Sequence, residues 1–200
     1  MSPESLKMRL EELLKAELSA ELALAASLST QERTIESSYE HWSVKDALGH
    51  AAVWKLRGAQ ELLARLGGKE VPHEEELEVS NRAIFDECQH RSWESMQELV
   101  HQAHSEMLVV LETCPEEDLE KEFGGKALAR EVIGAGVWHP IVHLAYAEVE
   151  RGQPDRAVEL IDMLGQRVLG VDGSWAMRRI VTYDRACIAA RAALSHRCSP

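Results

Sequence analysis

Apolar residues recur at three- and four-residue spacing along most of the chain, in stretches separated by short polar or glycine-containing segments. Leu6, Leu10, Leu13, Leu14 and Leu18 begin the pattern. With Pro3 after Ser2 suited to the first helical position behind an N-cap, the spacing predicts a long amphipathic helix to about Ser27. In HWSVKDALGH, Ser43 stands three residues before Asp46, a carboxylate variant of the capping box. The apolar run behind it reaches Leu66 before Gly67 and Gly68 stop it. A shorter helix is expected from Glu74 to about Gln89, and Ser92 caps a longer one through Met96, Leu99, Val100, Ala103, Met107 and Leu111 towards Pro115. PEEDLEKEFGG reads as a polar connection, after which a fourth long segment runs from about Leu128 to Glu150. Pro154 opens another helix to about Leu169, and Ser174 can cap a last one ending near Ser195. No segment alternates with period two between turns, so strands are not expected.

The expectation is an all-α protein: four main helices followed by a helical pair, the four burying their stripes most simply as an up-and-down or crossover bundle. The bundle takes residues 1–152 and the C-terminal helical extension, packed on it, residues 153–200. A chain of 200 residues is long enough to bury a core without a metal or disulfide staple. Its longest apolar run, near Leu22 to Leu28, is too short to cross a bilayer, and MSPESLKMRLEELLKAEL lacks the pattern of a secretory signal. Cys88, Cys114, Cys187 and Cys198 form no C-x-x-C pair, so reduced thiols and an unprocessed cytoplasmic protein are expected. A formal charge of -12 opposes nucleic-acid binding, which rests on Lys and Arg neutralising phosphates. No membrane partner is expected either, and homodimerisation is the default for a bundle with exposed apolar edges.

The histidines carry the candidate chemistry. His139 and His143, in GVWHPIVHLAYAEVERG, lie about 40° apart on the arc that also carries Val132, Ala135, Val142 and Tyr146, the side expected to be buried. His50 falls roughly 60° from the centre of the stripe formed by Ala47, Ala51, Trp54 and Gly58, at the edge of the core face. Two imidazoles at i and i+4 on one helix, with a third from a facing helix, make a facial set that leaves coordination open for water or substrate. Such a set suits zinc, nickel or iron(II) about equally. The bland alternative is a pair of half-buried histidines satisfied by carbonyls or water. Pro140 removes the amide hydrogen that would bond to Gly136 and should bend the helix there, either aiming His139 or spoiling its alignment with His143. His101 points about 160° from the Ala103 and Met107 stripe and should be solvated. His41, His73 and His90 lie in connections, His196 in the tail, and His104 has no converging partner.

The chain resembles the DinB-like four-helix bundle superfamily, which includes small-molecule and thiol-dependent transferases and self-resistance hydrolases. HWSVKDALGHAAVWK is similar to the W-S/T-x-x-D/E-x-L-x-H opening of that family's second helix, and the H-x-x-x-H of the fourth segment matches its second ligand pair. The resemblance covers roughly residues 1 to 150 and implies a divalent metal on His50, His139 and His143, the three residues that the helical faces select. HLAYAEVERGQPDRAVELI in turn resembles one tetratricopeptide-type unit, with Leu144, Ala145, Gly152, Ala157 and Ile161 at matching offsets and Glu148 where an aromatic is usual. A single unit cannot stack into a solenoid. The metal ligands would need acceptors on their distal nitrogens, and Asp46 and Glu150 are the nearest candidates in sequence. Trp54, Trp138 and Tyr146 are candidates to line a small-molecule cleft between the second and fourth helices. The expected activity is that of a metal-dependent hydrolase or transferase. Its rivals are a non-catalytic helical interaction module and metal-free hydrolysis of a reactive small molecule.

Overall fold

The computed structural model describes residues 4–71, 76–123 and 126–197, apart from the side chains of Phe123 and of residues 195–197. Ser2, Pro3, His73, Cys198 and the expected helix start at Glu74 lie outside these residues. The chain is all-α. Its helices are α1 (Leu6–Ser27), α2 (Thr30–Thr34), α3 (Val44–Leu66), α4 (Leu77–Gln89), α5 (Trp93–Thr113), α6 (Leu128–Ile133), α7 (His139–Glu150), α8 (Pro154–Val171) and α9 (Trp175–Arg197).

Local chemistry sets most of these boundaries. Ser5 accepts from the Met8 amide and starts α1, while Ser43 and Asp46 form the reciprocal capping box of α3. Ser92 caps α5 and Ser174 accepts from the Met177 amide at the start of α9. Gly152, at φ 73°, makes the left-handed turn between α7 and α8.

Three features depart from the pattern. The short α2 follows a capping box of Ser29 and Glu32, and Glu32 also holds Arg151 at 2.9 Å, so long-range charge pairing fixes a turn that apolar spacing does not signal. PEEDLEKEFGG is not merely polar: it contains a 3-10 turn at Glu116–Asp118, buries Leu119 completely, and pairs β1 (Glu122–Phe123) with β2 (Lys126–Ala127) in a two-residue antiparallel ladder. The long segment from Leu128 to Glu150 is interrupted by a wide, π-helical turn at Gly134–Trp138.

In packing, α3 lies against α4, α5 and α7, and α1 packs on α5, α7 and α8. The last helix, α9, rests on α8 and α7. One apolar cluster runs from Leu10 and Leu14 of α1 through Leu111 and Ile141 to Ile161 and Ile188, joining the C-terminal pair to the rest of the core. A smaller one, with Ile84, Cys88, Met96 and Val100, fills the space among α3, α4 and α5. No helix among the described residues is long and apolar enough to cross a membrane.

The seam between α3 and the π turn is tight, since a Cβ on Gly58 would stand 2.7 Å from the Cβ of Ala135. Gly58→Ala is expected to cost about 1–3 kcal/mol through this overpacking. Urea unfolding measures it.

Candidate metal centre

Along their seam α3 and α7 run antiparallel. Ala47 and Ala147 line one cleft, His50 meets His143 with ring centroids 4.4 Å apart, and Trp54 meets His139 at 6.2 Å. Gly58 and Ala135 follow as the close approach just described. Steps of three and four residues up α3 are therefore answered by steps of four down α7, which brings the three histidines to one level.

Pro140 sets where α7 begins, and with it the face on which His139 and His143 stand. Lacking an amide hydrogen, and with a ring that would press on the carbonyl four residues back, it cannot continue a regular α-helix. The chain widens at Gly134–Trp138 so that the His139 amide bonds to Gly134, five residues back. Gly136 suits this turn because a Cβ there would lie 2.9 Å from Leu14 Cδ2 and 3.0 Å from Met107 Cγ. Past the turn, His139 Nε2 and His143 Nε2 are 3.1 Å apart. Two nitrogens on one zinc ion, each about 2.0–2.1 Å from it, stand about 2.9–3.4 Å apart at bond angles near 90–110°. Both histidines lie beyond the wide turn, so they approach as an i, i+4 pair on α7, and the turn sets the pair as a unit against α3.

With His50 included, the candidate ligand atoms all lie within 4.8 Å of one another, so the group can hold a metal ion. Burial, with the neighbouring His143 and His139, pushes His50 down to about 2. Burial again, with His143 and Lys55, takes His139 to about 3, and burial alone takes His143 to about 4. Held neutral at pH 7, His139 and His143 stand at hydrogen-bond distance, one Nε2–H donating to the other Nε2, and a cation taking both lone pairs would displace that proton to Nδ1.

No family model, curated protein or solved structure matches this chain.

The other site residues divide. Asp46 Oδ2 accepts from the Ser43 amide at 2.7 Å and from its hydroxyl at 2.5 Å, while Asp46 Oδ1 and His50 Nδ1, one turn on, are both buried without a partner. Glu150 is exposed and bound to Arg191 at 2.6 Å, away from any imidazole, so it is a cleft residue rather than a support for a ligand. Trp54 lines a smaller cleft of about 170 Å³ that opens on His139, and its Nε1 donates to Asn81. Tyr146 lines a larger one of about 330 Å³ that opens on His143. Trp138, expected in a cleft, is instead buried against α8 and α9, packing beside Gly165 and donating to Asp184 Oδ2 at 2.7 Å. As the residue next to His139 it leaves the helix about 100° away from that ligand.

Two features escaped the apolar pattern. Trp42, in the connection before α3, lies 4.8 Å from the His50 ring and stacks on His143 at 6.2 Å and 19°. Its place in the HWS sequence was the available signal. Behind the histidines, Lys55, Glu17 and Glu21 form a fully buried ion cluster, and His104 lies buried on α5 with Nδ1 unpaired.

Burial, with Lys55 and His101, also pushes His104 down to about 4. A histidine depressed in the folded state from the ordinary 6.5 takes up its proton first in the unfolded chain. The stability it contributes is complete above about pH 6.5 and falls as the pH drops towards 4. Metal-free protein is accordingly expected to unfold at lower urea at pH 5 than at pH 8, and His104→Leu to flatten part of that dependence.

Proposed function

We propose that His50, His139 and His143 bind one divalent ion, zinc, nickel or iron, and that the protein is a DinB-like metal-dependent enzyme of the hydrolase or transferase class acting on a small molecule. The observation that carries this reading is the convergence of three neutral imidazoles from two helices, one pair 3.1 Å apart, between two clefts. An ordinary core histidine pair needs neither the third ring nor the openings.

The donor set fits a metal. Three nitrogen ligands on one face leave positions for water or substrate, the arrangement of catalytic rather than structural sites. Bound there, a divalent ion supplies Lewis-acid polarisation of a substrate oxygen or a water of lowered pKa. The chain's own groups prepare the place. One turn apart on α3, His50 Nδ1 and Asp46 Oδ1 are both buried without a hydrogen bond, and Asp46 is the carboxylate of that helix closest in sequence to the ring. Trp42 covers the His50 and His143 rings and keeps water off that side.

The rival reading, a non-catalytic helical module, gives no role to three converging imidazoles set between two clefts. Metal analysis of untagged protein decides between them. About one ion per chain is expected, and titration of metal-stripped protein with Co²⁺ should quench the fluorescence of Trp42 and Trp54, the quench being reduced in Trp42→Phe. Metal near zero and no quenching would sink the metal-dependent reading and leave metal-free hydrolysis and the interaction module.

A further inference from the structure

The larger cleft is walled by the connection before α3, by the His143 face of α7 and by Arg191 of α9. The last helix is therefore part of the site's surroundings. Asp184 on α9 also holds Trp138, the residue just before His139.

Arg191 spans the mouth of this cleft. Its Nη2 donates to Glu150 Oε1 at 2.6 Å and its guanidinium sits 5.3 Å from the centre of the Tyr146 ring. The side chains of this ion pair are 55% and 57% exposed, so water competes for both and the pair adds little to stability. A guanidinium offers five N–H donors in a plane that matches a carboxylate with two parallel bonds, and the pairing with Glu150 uses one of them. The other acid of the cleft is differently placed, because Glu40 takes hydrogen bonds from its own backbone amide and from Ser38, which hold its carboxyl below the usual range. The acids of the cleft thus have donors already, while its cation has donors to spare. Tyr39, Trp42 and Tyr146 line the same cleft as Arg191 and His143 and supply flat walls. At about 330 Å³ the space is at the lower end of small-molecule sites, about 300–1,000 Å³.

We infer that the larger cleft binds a small molecule carrying a carboxylate on a flat, unsaturated or aromatic body, with Arg191 engaging the carboxylate in place of Glu150. That the body is thereby presented to a reacting centre at His143 rests on the metal reading above; the recognition by Arg191 does not.

Phenylacetate, its neutral amide phenylacetamide and the cation phenethylamine serve as probes, titrated into the full chain both as isolated and metal-stripped, with binding followed by calorimetry. Phenylacetate is expected to bind at least tenfold more tightly than either of the others. Arg191→Gln should bring it down to the level of the amide without changing the amide's affinity, and Glu150→Gln, which removes the internal competitor, should raise phenylacetate binding several-fold. Phenylacetate binding no tighter than the amide or the amine, or an advantage that survives in Arg191→Gln, overturns the inference; in the second case the carboxylate is held elsewhere. Metal content measured on the same samples keeps the two readings apart. Arg191-dependent binding to a protein that is isolated without metal and takes up no added Co²⁺ supports the cleft and removes the metal centre, whereas a metal-loaded protein with no preference among the probes does the reverse.

Discussion

Lys55→Met is expected to destabilise the protein by about 3–5 kcal/mol, the cost of leaving a buried charge without its partner. The Lys55 side chain has no exposed surface, and its Nζ donates to Glu17 Oε1 at 2.8 Å, Glu17 Oε2 at 2.7 Å and Glu21 Oε2 at 2.9 Å. Burial alone pulls the ammonium's pKa down, but the two carboxylates outweigh it and hold it above the ordinary value. Burial, with the charge of Glu21, pushes Glu17 well up, and Glu21 Oε1 has no partner at all. Without the ammonium, the two acids face one another in the core, one turn apart on α1. Their repulsion and desolvation, rather than the loss of a few contacts, set the size of the effect. The same logic gives the control. Replacing all three by Met and Leu removes every charge together, and the triple variant is expected to match the wild type or exceed it by about 1–4 kcal/mol. Urea unfolding of the single and triple variants measures both. A single variant as stable as wild type, within about 0.5 kcal/mol, would mean that the cluster is not buried as described.

This cluster also shows where the sequence was mute. Helices α3, α5, α8 and α9 were legible because each begins at a capping side chain or a proline and continues with apolar residues at helical spacing, while α1 was legible from its spacing alone, its cap being Ser5 and not Ser2. The histidine group was legible for a related reason. An i, i+4 pair and a third ring at the edge of a facing stripe can be placed by angle alone, although angle says nothing of the depth at which two helices meet. Glu17, Glu21 and Lys55 lie on buried faces too, but an apolar template reads a charge on its stripe as an interruption, and only the folded arrangement shows that the interruptions cancel one another. The π turn was half legible. Pro140 announced a break, but where the break left the His139 and His143 face relative to α3 depended on the space beside Gly136, which Leu14 and Met107 define from two other helices. Arg191 and Trp42 owe their places to tertiary packing, one on the last helix and one in a connection, and no periodicity points to either.

Loss of metal is the second large effect expected. In His143→Ala and in His50→Ala the ion keeps at most two protein nitrogens, and its affinity should fall by more than the roughly 10–100-fold that removal of an outer hydrogen-bond partner costs. Asp46→Asn supplies that smaller effect for comparison. The amide oxygen can still accept at the α3 cap, while the charge available to His50 Nδ1 is lost. The order of affinities is therefore wild type, then Asp46→Asn, then the two alanine variants, read by titrating metal-stripped protein with Co²⁺ and following its visible spectrum. Folding separates these losses from collapse. His50 has a buried ring nitrogen with no hydrogen bond, so its removal gives up packing but no polar partner, and metal-free His50→Ala should keep the helical signal and a cooperative transition. His139→Ala tests the geometry from the other side. If the ion sits where the 3.1 Å pair meets the His50 ring, each of the three alanine variants empties the site by itself. An ion retained at full stoichiometry in any of the three would place it on other groups.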